Sequence, residues 1–288
     1  MVPLRDLLAP CGRSLEIVPS LADTVQLLAS GSTGRAYGED PIPNEVYKLC
    51  PAAWAREVHP LFCKVALRIE HPLLWKGGML HELVKSAKGS TVNCDTYRGV
   101  LLGDHLGKKL HRFLRRALLP HFLRFSRDTQ CGGLPRRSTD FAAQMIRLFL
   151  EKAKAQKRSA AVLFVDVKQA FDSVVRAIAL MSDLSLASSA ALFARLGLPP
   201  AAFQEFLEEV AVSALQLAEV PPHLHEMLTE IHSGTWASVQ GVASVIKTAL
   251  GTKPGHPLGD ILYNFVVSRV FRALEYDLTR LGVIDDFS

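Results

Sequence analysis

Ala160-Ala161-Val162-Leu163-Phe164-Val165-Asp166-Val167-Lys168-Gln169-Ala170-Phe171-Asp172-Ser173-Val174 is the stretch on which the fold turns. Its first six residues form a continuous apolar run, the pattern of a short strand covered on both faces. Asp166 follows at once. A carboxylate at the end of a buried strand is costly unless it is hydrogen-bonded, neutralised by a cation or bound to a metal. Asp172 reads as the N-cap of the helix that follows. Phe171 reads as a core side chain.

Working outward, the pattern is helical on both sides. A helix over 140–157 is expected, with Ser138 or Thr139 as its cap. Downstream, helices dominate 173–232, and Trp236-Ala237-Ser238-Val239 is strand-like. The breaker Gly251-Thr252-Lys253-Pro254-Gly255 precedes a long apolar helix over 258–281. Towards the N-terminus, a helix over 20–29 ends at Ser30-Gly31-Ser32-Thr33-Gly34. Turns follow around Gly38-Glu39-Asp40-Pro41 and at Trp75-Lys76-Gly77-Gly78. Many helices and few strands predict an α+β fold. No repeat of fixed period is present.

Hydrophobic residues make up 49% of the 288 and charged residues 21%, so the chain can bury a core and is not a disordered tail. No apolar run approaches 18 residues, so no transmembrane helix is expected, and 1–6 lacks the apolar stretch of a secretory signal. The five cysteines, Cys11, Cys50, Cys63, Cys94 and Cys131, are odd in number and no pair has CxxC spacing. They indicate neither a disulfide framework nor a zinc ribbon, and the expected setting is cytoplasm or nucleus.

The net charge of +5 is unevenly spread. Residues 76–137 carry 13 Lys/Arg against 4 Asp/Glu, whereas 196–246 hold six Glu and no Lys or Arg. That asymmetry suggests one region facing a polyanion and another facing solvent or a partner. Residues 106–119 concentrate the basic charge on an amphipathic helix. Leu106, Leu110, Phe113, Leu114, Ala117 and Leu118 share one side, while Lys108, Lys109, Arg112, Arg115 and Arg116 gather on the other. Pro120 predicts a break or kink. The basic face fits a phosphate backbone, and equally a solvated surface.

Phe164-Val165-Asp166-Val167-Lys168-Gln169-Ala170-Phe171-Asp172-Ser173-Val174 resembles the first catalytic motif of reverse transcriptases of the non-LTR retrotransposon type. Four further stretches resemble the family in its order, and together the likeness covers roughly 36–281. Gly38-Glu39-Asp40-Pro41-Ile42-Pro43-Asn44-Glu45 is similar to the turn that opens the polymerase domain. Trp75 to Gly78 through Tyr97-Arg98-Gly99-Val100 is similar to the fingers. Gln130-Cys131-Gly132-Gly133 with Arg136 to Asp140 is similar to the next fingers motif. The segment 251–264 is similar to the motif that supports template and nucleotide.

The resemblance implies right-hand polymerase fingers and a partial palm with an incomplete antiparallel sheet. Its divisions are an N-terminal extension (1–35), a fingers-like region (36–158) and a partial palm (159–288). The palm comprises the first catalytic motif (162–174), a helical insert (175–233), and the 251–264 motif with its following helix. The implied reaction is template-directed deoxynucleotide addition by two-metal nucleotidyl transfer, with Asp166 binding Mg²⁺ or Mn²⁺. Phe171 would discriminate sugars. Lys85, Arg98, Gly251, Lys253 and Gly255 would contact nucleotide or template, and Lys108, Arg112, Arg115 and Arg116 the nucleic-acid backbone. The implied partners are an RNA template, a DNA primer and deoxynucleoside triphosphates, with no membrane.

The departures are specific. Pro254 stands where the family commonly has Gln, and Gly259-Asp260 where it has Ser-Pro. The family's aromatic-Ala-Asp-Asp turn is absent, because Asp285-Asp286 follows the long helix without the aromatic-Ala and reads as a surface turn. The expectation is therefore a chain inactive in nucleotide addition. The rival reading is a non-catalytic nucleic-acid-binding remnant of a mobile element. Other constellations fail on spacing: Gly103 to Gly107-Lys108-Lys109 is too short for a P-loop, and His225-Glu226 has Thr229 where a zinc protease needs its second His. His223, His225 and His232 read as surface histidines.

Overall fold

The computed structural model describes residues 13–85, 92, 96–167, 170–180, 185–253 and 255–282. Asp285-Asp286 and Pro254 lie outside them. The chain is α+β, with a small four-stranded mixed sheet among many helices.

Helix α1 (Leu21–Ala29) starts at a capping box in which Ser20 and Asp23 satisfy each other's backbone N–H groups. Helices α2 (Asn44–Leu49) and α3 (Pro51–Arg68) follow. Strand β1 (Met79–Val84) pairs antiparallel with β2 (Tyr97–Leu102), with Met79 opposite Leu102 and Val84 opposite Tyr97. The Gly-Gly turn before β1 allows close approach. A Cβ on Gly77 would lie 2.3 Å from the Trp236 ring, and one on Gly78 would lie 2.2 Å from the Leu102 carbonyl oxygen.

Helix α4 (His105–Phe125) comes next, then α5 (Thr139–Ala155), capped by Ser138 as expected. The short helices α6 (Ala170–Ser173) and α7 (Arg176–Leu180) lead to α8 (Leu186–Leu196), α9 (Phe203–Ala211), α10 (Ala214–Leu217) and α11 (Pro222–Ile231). Strand β3 (Trp236–Val239) sits where the sequence suggested it, parallel to β1, and pairs with β4 (Ile246–Lys247). Helix α12 (Gly259–Arg280) follows. None of the described helices is long and apolar enough to cross a membrane.

Helix α4 is the axis of the core. Leu110, Leu114, Leu118 and Phe122 recur every fourth residue and are fully buried, and Phe265 of α12 meets the Phe122 ring edge-on at 4.9 Å. Ile17, Leu27 and Leu28 from the first 35 residues join the same core. The expected break at Pro120 does not occur, and α4 runs on to Phe125. Burial of Leu118 and Phe122 on either side of the exposed proline keeps the helix continuous through it, so packing overrides propensity.

Three expectations are corrected. Residues 160–165 are not a buried strand: the segment has no regular structure, and Leu163, Phe164 and Val165 are 83, 84 and 75% exposed. A strand needs a neighbour for its backbone, and no described strand pairs with this segment. Asp172 lies inside α6 rather than ahead of a following helix. His223 and His232 are buried, not superficial. His223 bridges the Ser14 N–H at 3.0 Å and the Ala66 carbonyl at 2.8 Å, and His232 bonds the Leu228 carbonyl at 2.8 Å.

Candidate functional site

A cleft of ≈ 760 Å³ opens where α4, the loop ahead of α2, the end of β2, α6 and the turn into α12 converge. Lys108, Arg112 and Arg115 line it because the spacing i, i+4, i+7 places them on one stripe of α4. Arg35 faces them from the loop, whose backbone is pinned by Asn44 Nδ2 on the Ser32 carbonyl at 3.1 Å and Lys48 Nζ on the Gly31 carbonyl at 3.0 Å. Phe171, Gly255 and Asp260 close the other side.

Arg115 is already engaged. Its guanidinium grips the Asp260 carboxylate and donates to the Pro257 carbonyl at 2.7 Å, fixing the turn into α12 against α4. Lys108 and Arg112 have no ion-pair partner among the described residues. Burial pushes both below their ordinary values; Arg112 adds to this at Lys108, where the Asp104 and Asp40 carboxylates oppose it, and Arg116 adds to it at Arg112. Crowded, partly desolvated cations of this kind gain most from an anion. The N-terminus of α4 is not itself open to one, because Asp104 caps it with a 2.7 Å bond from the Gly107 N–H. Nearby, burial and the facing Asp104 carboxylate push Asp40 well above the usual carboxylate range.

Segments far apart in sequence meet here. The Thr252 N–H donates to the Phe171 carbonyl at 2.8 Å and the Gly251 N–H to the Val174 carbonyl at 2.9 Å. Gly251, at φ +80°, packs so tightly that a Cβ would stand 3.0 Å from the Asp172 Cα. The 130–133 turn joins through Asn264 Nδ2 on the Gly132 carbonyl at 2.8 Å and Ser268 Oγ on Gln130 Oε1 at 2.6 Å. Phe171, 37% exposed, meets the Tyr263 ring at 5.4 Å.

Of the residues singled out by sequence, the cleft gathers Lys108, Arg112, Arg115, Phe171 and Gly255. Arg116 is exposed outside it, and Lys85 and Arg98 lie on the β1–β2 hairpin. Gly251 and Lys253 are buried instead. Lys253 Nζ donates to the Ile231 carbonyl at 2.9 Å, and burial lowers it to about 7, so it supports the turn from beneath and does not reach the cleft. Lys109, grouped with the basic face by periodicity, is also buried. It caps α1 by donating to the Leu27, Leu28 and Ser30 carbonyls at 3.0–3.1 Å.

Asp166 is exposed and does not line the cleft. Among the described residues no three His, Cys, Asp or Glu side chains gather to hold a metal ion. The described donors therefore do not fit the Mg²⁺ or Mn²⁺ that the resemblance implies. Arg35 and His105 line the cleft without any sequence signal, since each comes from a turn or helix end with no periodicity, whereas Asn44 and His256 fall within quoted motifs without having been singled out. No protein-family model matches the chain, and no curated protein matches it.

Proposed function

We propose that this chain is a reverse-transcriptase-like protein that binds nucleic acid or nucleoside triphosphate through this cleft and does not itself add nucleotides. The observation that carries the reading is convergence: the α4 basic stripe, Phe171 and the 255–260 turn, separated by some 150 residues of chain, line one cavity. Lys108 and Arg112, without an ion-pair partner among the described residues, suit phosphate oxygens, and Phe171 in the lining of the same cleft suits the sugar of the same nucleotide. Two-metal chemistry needs ligands that hold both ions, and Asp166 stands exposed outside the cleft.

Fluorescence anisotropy with a labelled RNA, titrated with salt, tests the phosphate site. Each lost phosphate contact lowers the salt slope by about 0.7–0.9, so Lys108→Gln with Arg112→Gln should weaken binding and flatten the slope by roughly 1.5. Arg116→Gln, outside the cleft, should leave both unchanged. Equal binding by the double variant and the native protein sinks the reading, and primer extension by the native protein refutes its non-catalytic half.

A further inference from the structure

The loop ahead of α2 packs on the start of α4 so closely that a Cβ on Gly38 would stand 2.7 Å from the Gly103 carbonyl carbon and 2.9 Å from the Asp104 nitrogen. This approach brings the carboxyls of Asp40 and Asp104 into hydrogen-bonding contact. Asp104 is buried, and its Oδ1 is already spent on the Gly107 N–H that caps α4. Asp40 Oδ1 is buried as well, and no donor among the described residues reaches it. Two ionised carboxylates are both acceptors, so their contact closes only with a proton between them. Burial, and then Asp104, push Asp40 up to about 8, and the pair holds that proton at neutral pH.

The cation that faces the pair is Lys108, one turn beyond Asp104 on α4 and in the wall of the cleft. Asp104 and Lys108 also line a void of ≈ 10 Å³, too small for more than a single screening water. The other titratable groups around the pair keep their charge between about pH 6.5 and pH 9. Buried Tyr47 of α2 is raised by burial and then by the two carboxylates, so it stays neutral. His105 of α4 is lowered by burial, with Lys108 and Lys109 adding and Asp104 opposing, and stays neutral too. Glu45 of α2, lowered by the bond from the Gly34 N–H, stays ionised.

We infer that the Asp40–Asp104 pair is a proton-operated control on the cleft. With the shared proton in place, one negative charge faces Lys108, and the ammonium can meet a phosphate. With the proton lost, a second carboxylate faces it and competes with the incoming anion. Phosphate binding and protonation of the pair therefore reinforce each other, as linkage requires. The inference rests on the reading of the cleft as a phosphate site.

Labelled oligo(A) is a suitable probe, because neither its phosphodiesters nor its bases titrate in this range. Asp40→Asn and Asp104→Asn each leave one carboxylate that stays ionised, and Asn still caps α4. Lys108 and Lys109, both lowered, shed charge as pH rises in all three proteins, so the readout is the difference between native and variant. From about pH 7 to about pH 9, native affinity should fall about three- to tenfold more than that of either variant. Calorimetry near pH 8 in buffers of different ionisation enthalpy should show the native protein taking up more protons on binding than the variants do, by up to about one. Thermal melts matching the native curve show that the variants are folded. If native protein and variants share one pH dependence, or the native takes up no more protons than they do, the pair does not control the cleft, although the cleft still holds phosphate. If the native protein binds oligo(A) at neither pH, the cleft reading fails and takes this inference with it.

Discussion

Arg176 opens α7 almost wholly buried, and its five N–H groups make six hydrogen-bond contacts, with one N–H of Nη1 shared between two acceptors. They reach the Gly251, Leu250, Thr248 and His232 carbonyls and the Thr235 and Thr248 hydroxyls, at 2.7–3.3 Å. No carboxylate among the described residues neutralises it, and burial lowers it to about 10. One side chain thus ties the end of α11, the β3–β4 hairpin and the Gly251 turn that supports Phe171. Arg176→Met would strip four carbonyls of a donor, two of them at half-buried positions, at an expected cost of about 3–5 kcal/mol. In a thermal melt this should appear as a fall of about 10 °C, with Arg176→Lys recovering only part, because an ammonium has fewer donors and no planar fork. A melting point within about 2 °C of the native value would show that the carbonyls find other partners. Sequence alone could not assign this role. Arg176, Lys109, Lys253 and Lys108 are all cations beside apolar residues, and a long side chain can reach inward to carbonyls or outward to solvent. Which it does depends on whether an unsatisfied helix end or turn lies within reach, a property of the fold.

Helices were legible because their signals are local. Ser20 with Asp23, Ser138 at its cap and the four-residue spacing of Leu110, Leu114, Leu118 and Phe122 each carry their own reason to be helical. The cleft's α4 stripe and Phe171 were legible too, whereas Arg35 and the Asp40–Asp104 pair arise only when distant segments meet. The failure at 160–165 has the same root. An apolar run specifies a strand only if another strand arrives alongside, and nothing within the run encodes that neighbour. The exposed state makes a sharp prediction. Leu163→Ser with Phe164→Ser should change stability by less than about 1 kcal/mol in urea unfolding, since neither side chain is withdrawn from water. The pair should also lower the tendency to aggregate, because exposed apolar runs with strand propensity seed self-association. In a strand covered on both faces the same pair would cost well over about 3 kcal/mol, and that result would restore the strand.

At the scale of the whole molecule, the support beneath the cleft is a stack of histidines, three of them buried and the fourth, His256, half-buried at the cleft wall. His71 and His111 rings lie 5.4 Å apart, His111 and His256 4.5 Å, and His232 and His256 6.3 Å. His256 Nδ1 accepts from the Leu258 N–H, so its Nε2–H donates to His111 Nδ1 at 2.6 Å. Both rings are then neutral. Burial depresses all four, with neighbouring histidines and Lys253 adding to it at His111 and His256. At His71 the bond to Glu230 only partly offsets burial. The sign follows from proton counts. Below the unfolded value of about 6.5 the unfolded chain takes up protons that the folded histidines refuse, so stability falls as pH falls. Each fully uncoupled proton is worth about 1.4 kcal/mol per pH unit. Lys253, lowered to about 7, and Lys109, lowered to about 8, act in the same direction at higher pH, losing their contribution as pH falls from about 10.5. Asp40 opposes them, because its raised carboxyl stabilises the fold at low pH and loses that contribution as pH rises. Asp172, raised by burial, acts with it, so two groups stand against several. The urea midpoint should therefore climb from pH 5 to pH 9, most steeply just below about 6.5. His111→Gln, which keeps a hydrogen-bonding side chain but cannot titrate, should flatten that climb by up to one proton. A midpoint that stays level or rises on acidification from pH 8 to pH 5 would mean the histidines take up protons inside the folded protein, and that water reaches the stack.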